Sequence, residues 1–202
     1  MKFEIRTATV NDVGAMLALL PRLADFDVPA HRQPEHLWEH DGALLRSWLA
    51  GEAPQCLVEV AVADSGIVGL TMTSMQPDPL THEPAAHLEV IAVAARAEGK
   101  GVGRALLVAA EQNARERGAR SITLHVIDSN SRARHFYEQS GYVGEMIRYI
   151  SHCQRSRCLT GLTRESVTHP GIWCVTLTRS VPDAGVPWTC LCCYTVSWPR
   201  LS

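Results

Sequence analysis

The chain has 202 residues, 46% hydrophobic and 20% charged, with a net charge of −2. That is enough for one packed domain with residues to spare, and it excludes a disordered or collagen-like polymer. No basic face speaks for nucleic acid, no stretch of about 18 apolar residues speaks for a membrane span, and residues 1–12 lack the apolar core of a secretory signal. A soluble cytoplasmic protein without nucleic-acid or membrane partners is therefore expected, and the sequence is compatible with a homodimer.

Hydrophobic periodicity sets the elements in chain order. A short strand, KFEIRTA, leads through Thr9 and Asp12, spaced as in a capping box, into an amphipathic helix over residues 13–26. A second helical stretch is predicted over residues 35–49. The runs CLVEVAVA and IVGLTMTSM, separated by Asp64-Ser65-Gly66, read as a β-hairpin. A proline-rich loop precedes the strand HLEVIAV, a glycine turn, a helix over residues 102–118, the strand SITLHVI, a helix over residues 131–140 and a last extended stretch, GYVGEMIRYIS. The order β-α-α-β-β-β-α-β-α-β defines a mixed α/β (α+β) domain over residues 1–150.

The turn EGKGVGR sits where a strand becomes a helix, and the first turn of a helix offers N–H groups without intrahelical acceptors and the positive end of the dipole. Glycines at 99, 101 and 103 let the backbone close tightly around a bulky anion such as pyrophosphate. A Walker loop is excluded because Lys100 is followed by Gly101 rather than Ser or Thr, and the dinucleotide fingerprint has a different glycine spacing. On spacing alone, a turn that serves only close packing stays open.

The stretch VAARAEGKGVGRALL, followed about thirty residues later by NSRARHFYEQSGY, resembles the GCN5-related N-acetyltransferase superfamily. The resemblance covers residues 3–150. It implies the acyl-CoA N-acyltransferase fold, a mostly antiparallel central sheet flanked by helices, and transfer of acetyl from acetyl-CoA to a primary amine by direct attack in a ternary complex. Gly99, Lys100, Gly101, Val102, Gly103 and Arg104 would hold the coenzyme pyrophosphate, with Asn130 and Tyr137 on the other wall of the cleft. Backbone N–H groups of Ile91, Ala92 and Val93 would meet the oxyanion if their strand splays from its neighbour. One departure stands out. Glu98 occupies a position where the family carries Arg or Gln, and it is expected to turn into solvent, with Lys100 and Arg104 supplying positive charge.

Aminolysis of a thioester needs a base for the ammonium, an oxyanion stabiliser and a proton for the departing thiolate. Glu89, on the strand before the turn, is the candidate base, its alternative being a solvent-facing strand glutamate. Tyr137 is the candidate acid, against the alternative of a core aromatic. Retention of both disfavours a non-catalytic acyl-CoA sensor, the rival reading. No metal is expected, because His36 and His40 lack an HExxH context and read as a solvated helix face. Cys56 reads as a buried hydrophobe and Arg115, Arg117 and Arg120 as an exposed helix end. The loops carrying Asp25, Asp27, Asp78 and Glu83 would border the acceptor, and residues 1–150 hold 14 basic against 19 acidic side chains, so a cationic amine is favoured.

Residues 151–202 obey other rules. Six of the seven cysteines and three of the five tryptophans fall there, without a sustained apolar period. Cys190, Cys192 and Cys193 lack a partner pair at zinc-finger spacing, and a reducing compartment argues against disulfides. The stretch is expected to be an appended, non-native or disordered extension that is dispensable for the domain.

Overall fold

The structure, a computed structural model, describes residues 1–151, and the cysteine- and tryptophan-rich stretch beyond them lies outside the described residues. Residues Met1–Glu145 form one compact unit, and Met146 begins a second. The strands are β1 (Phe3–Thr7), β2 (Cys56–Ala63), β3 (Gly66–Pro77), β4 (Pro84–Val93) and β5 (Ser121–Leu124), and the helices are α1 (Val13–Leu19), α2 (Glu39–Leu49), α3 (Val102–Glu116) and α4 (Ser131–Gln139). One sheet runs in the order β1-β2-β3-β4-β5. Its first three pairings are antiparallel, and β4 and β5 are parallel, joined through α3. This is the mixed, mostly antiparallel architecture anticipated for the acyl-CoA N-acyltransferase fold.

The near-continuous apolar runs of β2 and β3 are buried in the middle of the sheet, as expected for strands covered by helices. Val58, Val60, Leu70, Met72 and Val90 join Met16, Leu20 and Leu45 in the main core. Cys56, at the start of β2, is buried as the small hydrophobe expected. At Gly69 the helix α3 comes so close that a Cβ would lie 2.7 Å from Leu106 Cδ1 and 2.9 Å from Val102 Cγ1. Any side chain there would have to displace the Leu106 and Val102 side chains of α3.

The chain enters α1 through a charged joint. Arg6 donates from Nη1 and Nη2 to the two oxygens of Asp12 at 2.7 and 2.8 Å, and the Thr9 N–H donates to the same carboxylate at 2.7 Å. The guanidinium holds Asp12 well below the usual carboxylate range. Its folded pKa is depressed, so this contribution is present above the ordinary carboxylate pKa and is lost on acidification below it.

Three expected elements differ. Pro21 lacks an N–H, so the helix expected over residues 13–26 is α-helical only to Leu19 and continues as a 3₁₀ turn, Leu20–Ala24. The second splits into a 3₁₀ turn, Pro34–Leu37, and α2, with the extended φ of Trp38 (−131°) between them. The last extended stretch forms no strand among the described residues. Its apolar positions (Val143, Met146, Ile147, Tyr149 and Ile150) do not alternate, so no strand face is specified.

Gly69→Ala is expected to destabilise the domain by about 1–3 kcal/mol through overpacking against α3; a thermal midpoint equal to wild type would show that α3 yields without cost.

Candidate active site

The cleft begins where two strands part. The β4–β5 ladder ends at Leu88 and Leu124, while β4 continues to Val93. The strand SITLHVI was expected to run to Ile127; it stops at Leu124, where its ladder with β4 ends although β4 itself goes on. On the other edge of β4, Met72 faces Val90 and Thr73 faces Leu88, leaving Glu89 as the extra residue of a β-bulge, a device that re-aims a side chain. The Ala94 N–H donates to Val68 O at 2.9 Å, so alternation turns the N–H and C=O of Ile91 and Val93 to the side that β5 has left, and those of Ala92 toward β3.

The glycine turn closes one end. Gly99 and Gly101 have φ of 68° and 81°, left-handed values that side chains oppose, and Gly101 is the N-cap of α3. Gly103 has an ordinary φ, and a Cβ on it would meet Val93 and Phe136 at 3.7 and 3.8 Å, so space does not require glycine there. A cleft of about 620 Å³ runs from this turn along β4 to α4. Glu89, Ile91, Ala92, Val93, Gly99, Gly101, Val102, Gly103, Arg104, Asn130 and Tyr137 all border it, so ten of the eleven positions expected at the cofactor, with the expected base, come together. Lys100 is the eleventh, and it does not border the cleft: its Nζ reaches back to Arg96 O at 2.7 Å. The Asn130 side-chain oxygen caps α4 by accepting from the Ala133 N–H at 3.1 Å. Burial pushes the Tyr137 phenol up to about 12.

Glu98 corrects a further expectation. Instead of pointing into solvent, its Oε1 accepts from Arg22 Nη2 and from Arg132 Nη1, the latter at 2.9 Å. Two guanidinium groups within reach outweigh hydration of a half-exposed carboxylate.

The other end of the cleft is acidic. Glu89 accepts a hydrogen bond from Ser74 Oγ, and Asp41, in the first turn of α2, borders the same space. Burial first, then the charge of Glu89, pushes Asp41 up to about 6. His87 Nδ1 lies 2.8 Å from Thr123 Oγ1, and its ring centroid is 4.7 Å from that of His125, which also borders the cleft. Burial, more than the neighbouring His125, pulls His87 down. The carboxylates expected at the acceptor are engaged elsewhere: Asp25 pairs with Arg22, Asp78 caps its own loop through the Leu80 and Thr81 N–H groups, and Glu83 pairs with Arg120. Neither these nor Asp27 borders the cleft. His36 and His40 are exposed on successive elements, and among the described residues no group of three or more His, Cys, Asp or Glu is placed to hold a metal ion.

The sequence profile of the acetyltransferase (GNAT) family matches residues 20–142, which span the cleft from the 3₁₀ turn after α1 to the end of α4. The chain belongs to that family. It is an acyltransferase, and its chemistry is acetyl transfer. An uncharacterized N-acetyltransferase of Bacillus subtilis, YhfO, is 28% identical over 150 residues, covering 74% of this chain and 95% of its own. A transcriptional regulator from Bacillus halodurans superposes with a TM-score of 0.58 at 25% identity, over 75% of this chain and 99% of the other. A ribosomal-protein-alanine N-acetyltransferase from Brucella melitensis shares the fold, with a TM-score of 0.56 at 21% identity over 76% of this chain and 100% of its own. Among the described residues no helix of this GNAT protein is long and apolar enough to cross a membrane.

Sequence reasoning missed Asp41, His125, Arg22 and Arg132, which border the GNAT cleft, and Ser74, which donates to Glu89 from behind it. Asp41 lies inside the helix expected over residues 35–49 and Arg22 inside the one expected over residues 13–26, and only folding brings them to the cleft along β4.

Asp41 titrates higher in the folded chain than in the unfolded one. The folded state therefore binds the extra proton between pH about 4 and about 6, and stability is lost as pH rises through that window. Asp41→Asn is expected to raise the thermal midpoint by about 2–6 °C at pH 8 and to change it little at pH 4; a pH-independent difference would remove burial of the charge as the cause.

Proposed function

We propose that this protein is an N-acetyltransferase that moves acetyl from acetyl-CoA to a cationic primary amine by direct attack in a ternary complex. The observation that carries the reading is that β4, freed from β5, runs along one cleft between the left-handed glycine turn and the Asp41–Glu89 pair. Backbone N–H groups of the turn and the start of α3 suit the pyrophosphate, with Arg104 and Asn130 beside them. Two carboxylates at the far end suit an ammonium, and the partly buried Asp41 favours a cation that offsets its desolvation.

The steps follow from these groups. Glu89, aimed by the bulge and held by Ser74, takes the proton of the ammonium, directly or through water. The free amine attacks the thioester carbonyl, and the N–H groups of Ile91 and Val93 meet the charge that develops on oxygen. Collapse breaks the C–S bond. The Tyr137 hydroxyl stays protonated throughout the neutral range and donates to the departing sulfur. A phenol near 12 lies above an ordinary thiol at about 8.5, so full transfer is uphill unless Tyr137 recovers a proton from the tetrahedral N–H in the same event.

Gly101→Val places a branched side chain at φ 81° and is expected to weaken acetyl-CoA binding by on the order of 10-fold or more while the domain stays folded. Wild-type affinity by calorimetry would remove the turn from the mechanism. In a thiol-release assay against an amine panel, Tyr137→Phe should lower turnover by roughly 10²-fold with cofactor affinity unchanged, and Glu89→Gln should move the optimum to higher pH, where the acceptor is already neutral. An unaltered pH profile would return Glu89 to a strand glutamate, and no thiol release with any amine would leave a module that binds without turnover.

A further inference from the structure

Three charged residues from separate parts of the chain meet at the cofactor end of the cleft. Arg22 lies in the 3₁₀ turn after α1, Arg132 in the first turn of α4, and Glu98 directly before the glycine turn. All three border the cleft. One carboxylate oxygen of Glu98 accepts from both guanidinium groups. Arg22 is held at two further points, by Asp25 and by the Val93 carbonyl, which accepts from Nε at 3.2 Å. Arg132 has a more exposed side chain, 62% against 24% for Arg22.

A guanidinium fork fits a phosphate as well as a carboxylate, because both offer paired oxygens in a plane the fork can match. Glu98 precedes the turn by one residue, so its carboxylate holds the arginines beside the place where a substrate phosphate would lie. Two anions cannot share these donors without mutual repulsion, and the more highly charged one takes them. We propose that Glu98 is an internal stand-in for a phosphate: it occupies Arg22 and Arg132 in the free protein and yields them to a phosphate of acetyl-CoA when that substrate binds. The inference rests on the acetyl-CoA reading above and goes beyond it by assigning two arginines outside the glycine turn to the cofactor and a competitor to each of them. Asp25 and the Val93 carbonyl keep Arg22 in place while Glu98 departs, so the exchange needs only the Glu98 side chain to turn. Substrate affinity is then lower than the donors alone would give, and more sensitive to salt, because the displaced pairs are partly exposed.

The test is a double-mutant cycle on the full chain with Glu98→Gln, Arg132→Gln and both together, titrated calorimetrically with acetyl-CoA and with its 3′-dephospho form. Glu98→Gln is expected to tighten acetyl-CoA by on the order of 10-fold, and adding Arg132→Gln is expected to cancel most of that gain, whereas Arg132→Gln alone has a smaller effect. A gain that persists with the 3′-dephospho form assigns the arginines to the pyrophosphate, and one that vanishes assigns them to the 3′-phosphate. Unchanged or weaker binding in Glu98→Gln, or a gain that survives Arg132→Gln, overturns the stand-in and leaves the acetyl-CoA reading intact. Absence of acetyl-CoA binding by wild type and all variants overturns both.

Discussion

The parting of β4 from β5 after Leu88 and Leu124 is the constraint on which the rest depends. A parallel pair that stayed zipped to its end would satisfy the backbone of Ile91 and Val93 internally and leave no space between the strands. Once β5 stops, those peptide groups need solvent, a side chain or a ligand, and the two strand ends diverge around a cleft. The helix leaving β4 and the helix following β5 then stand on its two walls. Arg22 already answers the backbone demand in part, through the Val93 carbonyl.

Charge is distributed along this cleft in a polar sequence. One end gathers backbone N–H groups, the positive end of α3 and the arginines around Glu98; the other gathers Asp41 and Glu89, with His87 and His125 nearby. A donor rich in phosphate and an acceptor bearing an ammonium would therefore enter with opposite preferences and meet along β4 between the two ends. Holding Asp41 partly buried beside a second carboxylate costs stability, a cost of the kind seen where a site is shaped for a ligand rather than for the fold alone. The Arg6–Asp12 joint is the contrasting case, a pair whose geometry serves the entry into α1 and touches no cleft residue's chemistry.

Much was legible from the chain itself, because the physics involved is local. Continuous apolar runs marked β2 and β3, the 3.6-residue period marked α3, and glycines at 99, 101 and 103 marked a tight turn, which the backbone makes with left-handed φ at the first two only. The family resemblance, rather than these local signals, pointed to Glu89, Asn130 and Tyr137, and all three border the cleft. Pro21 ends the α-helical part of α1 and the irregular apolar spacing after Gly141 specifies no strand face, two places where a local breaker overrides the pattern around it.

What the tertiary structure alone decided is which charges meet. Arg22 and Arg132 reach Glu98 from 76 and 34 residues away, and no periodicity links such positions. The loop carboxylates Asp25, Asp78 and Glu83 looked available for an amine until folding set Arg22, the Asp78 loop and Arg120 beside them. Asp41, indistinguishable in sequence from any other acid of a helix, became the second carboxylate of the cleft only when α2 brought it to Glu89. Period and backbone preference act over a few residues and so are written in order along the chain, whereas an ion pair depends on distance in space, which only the packed sheet and its helices define.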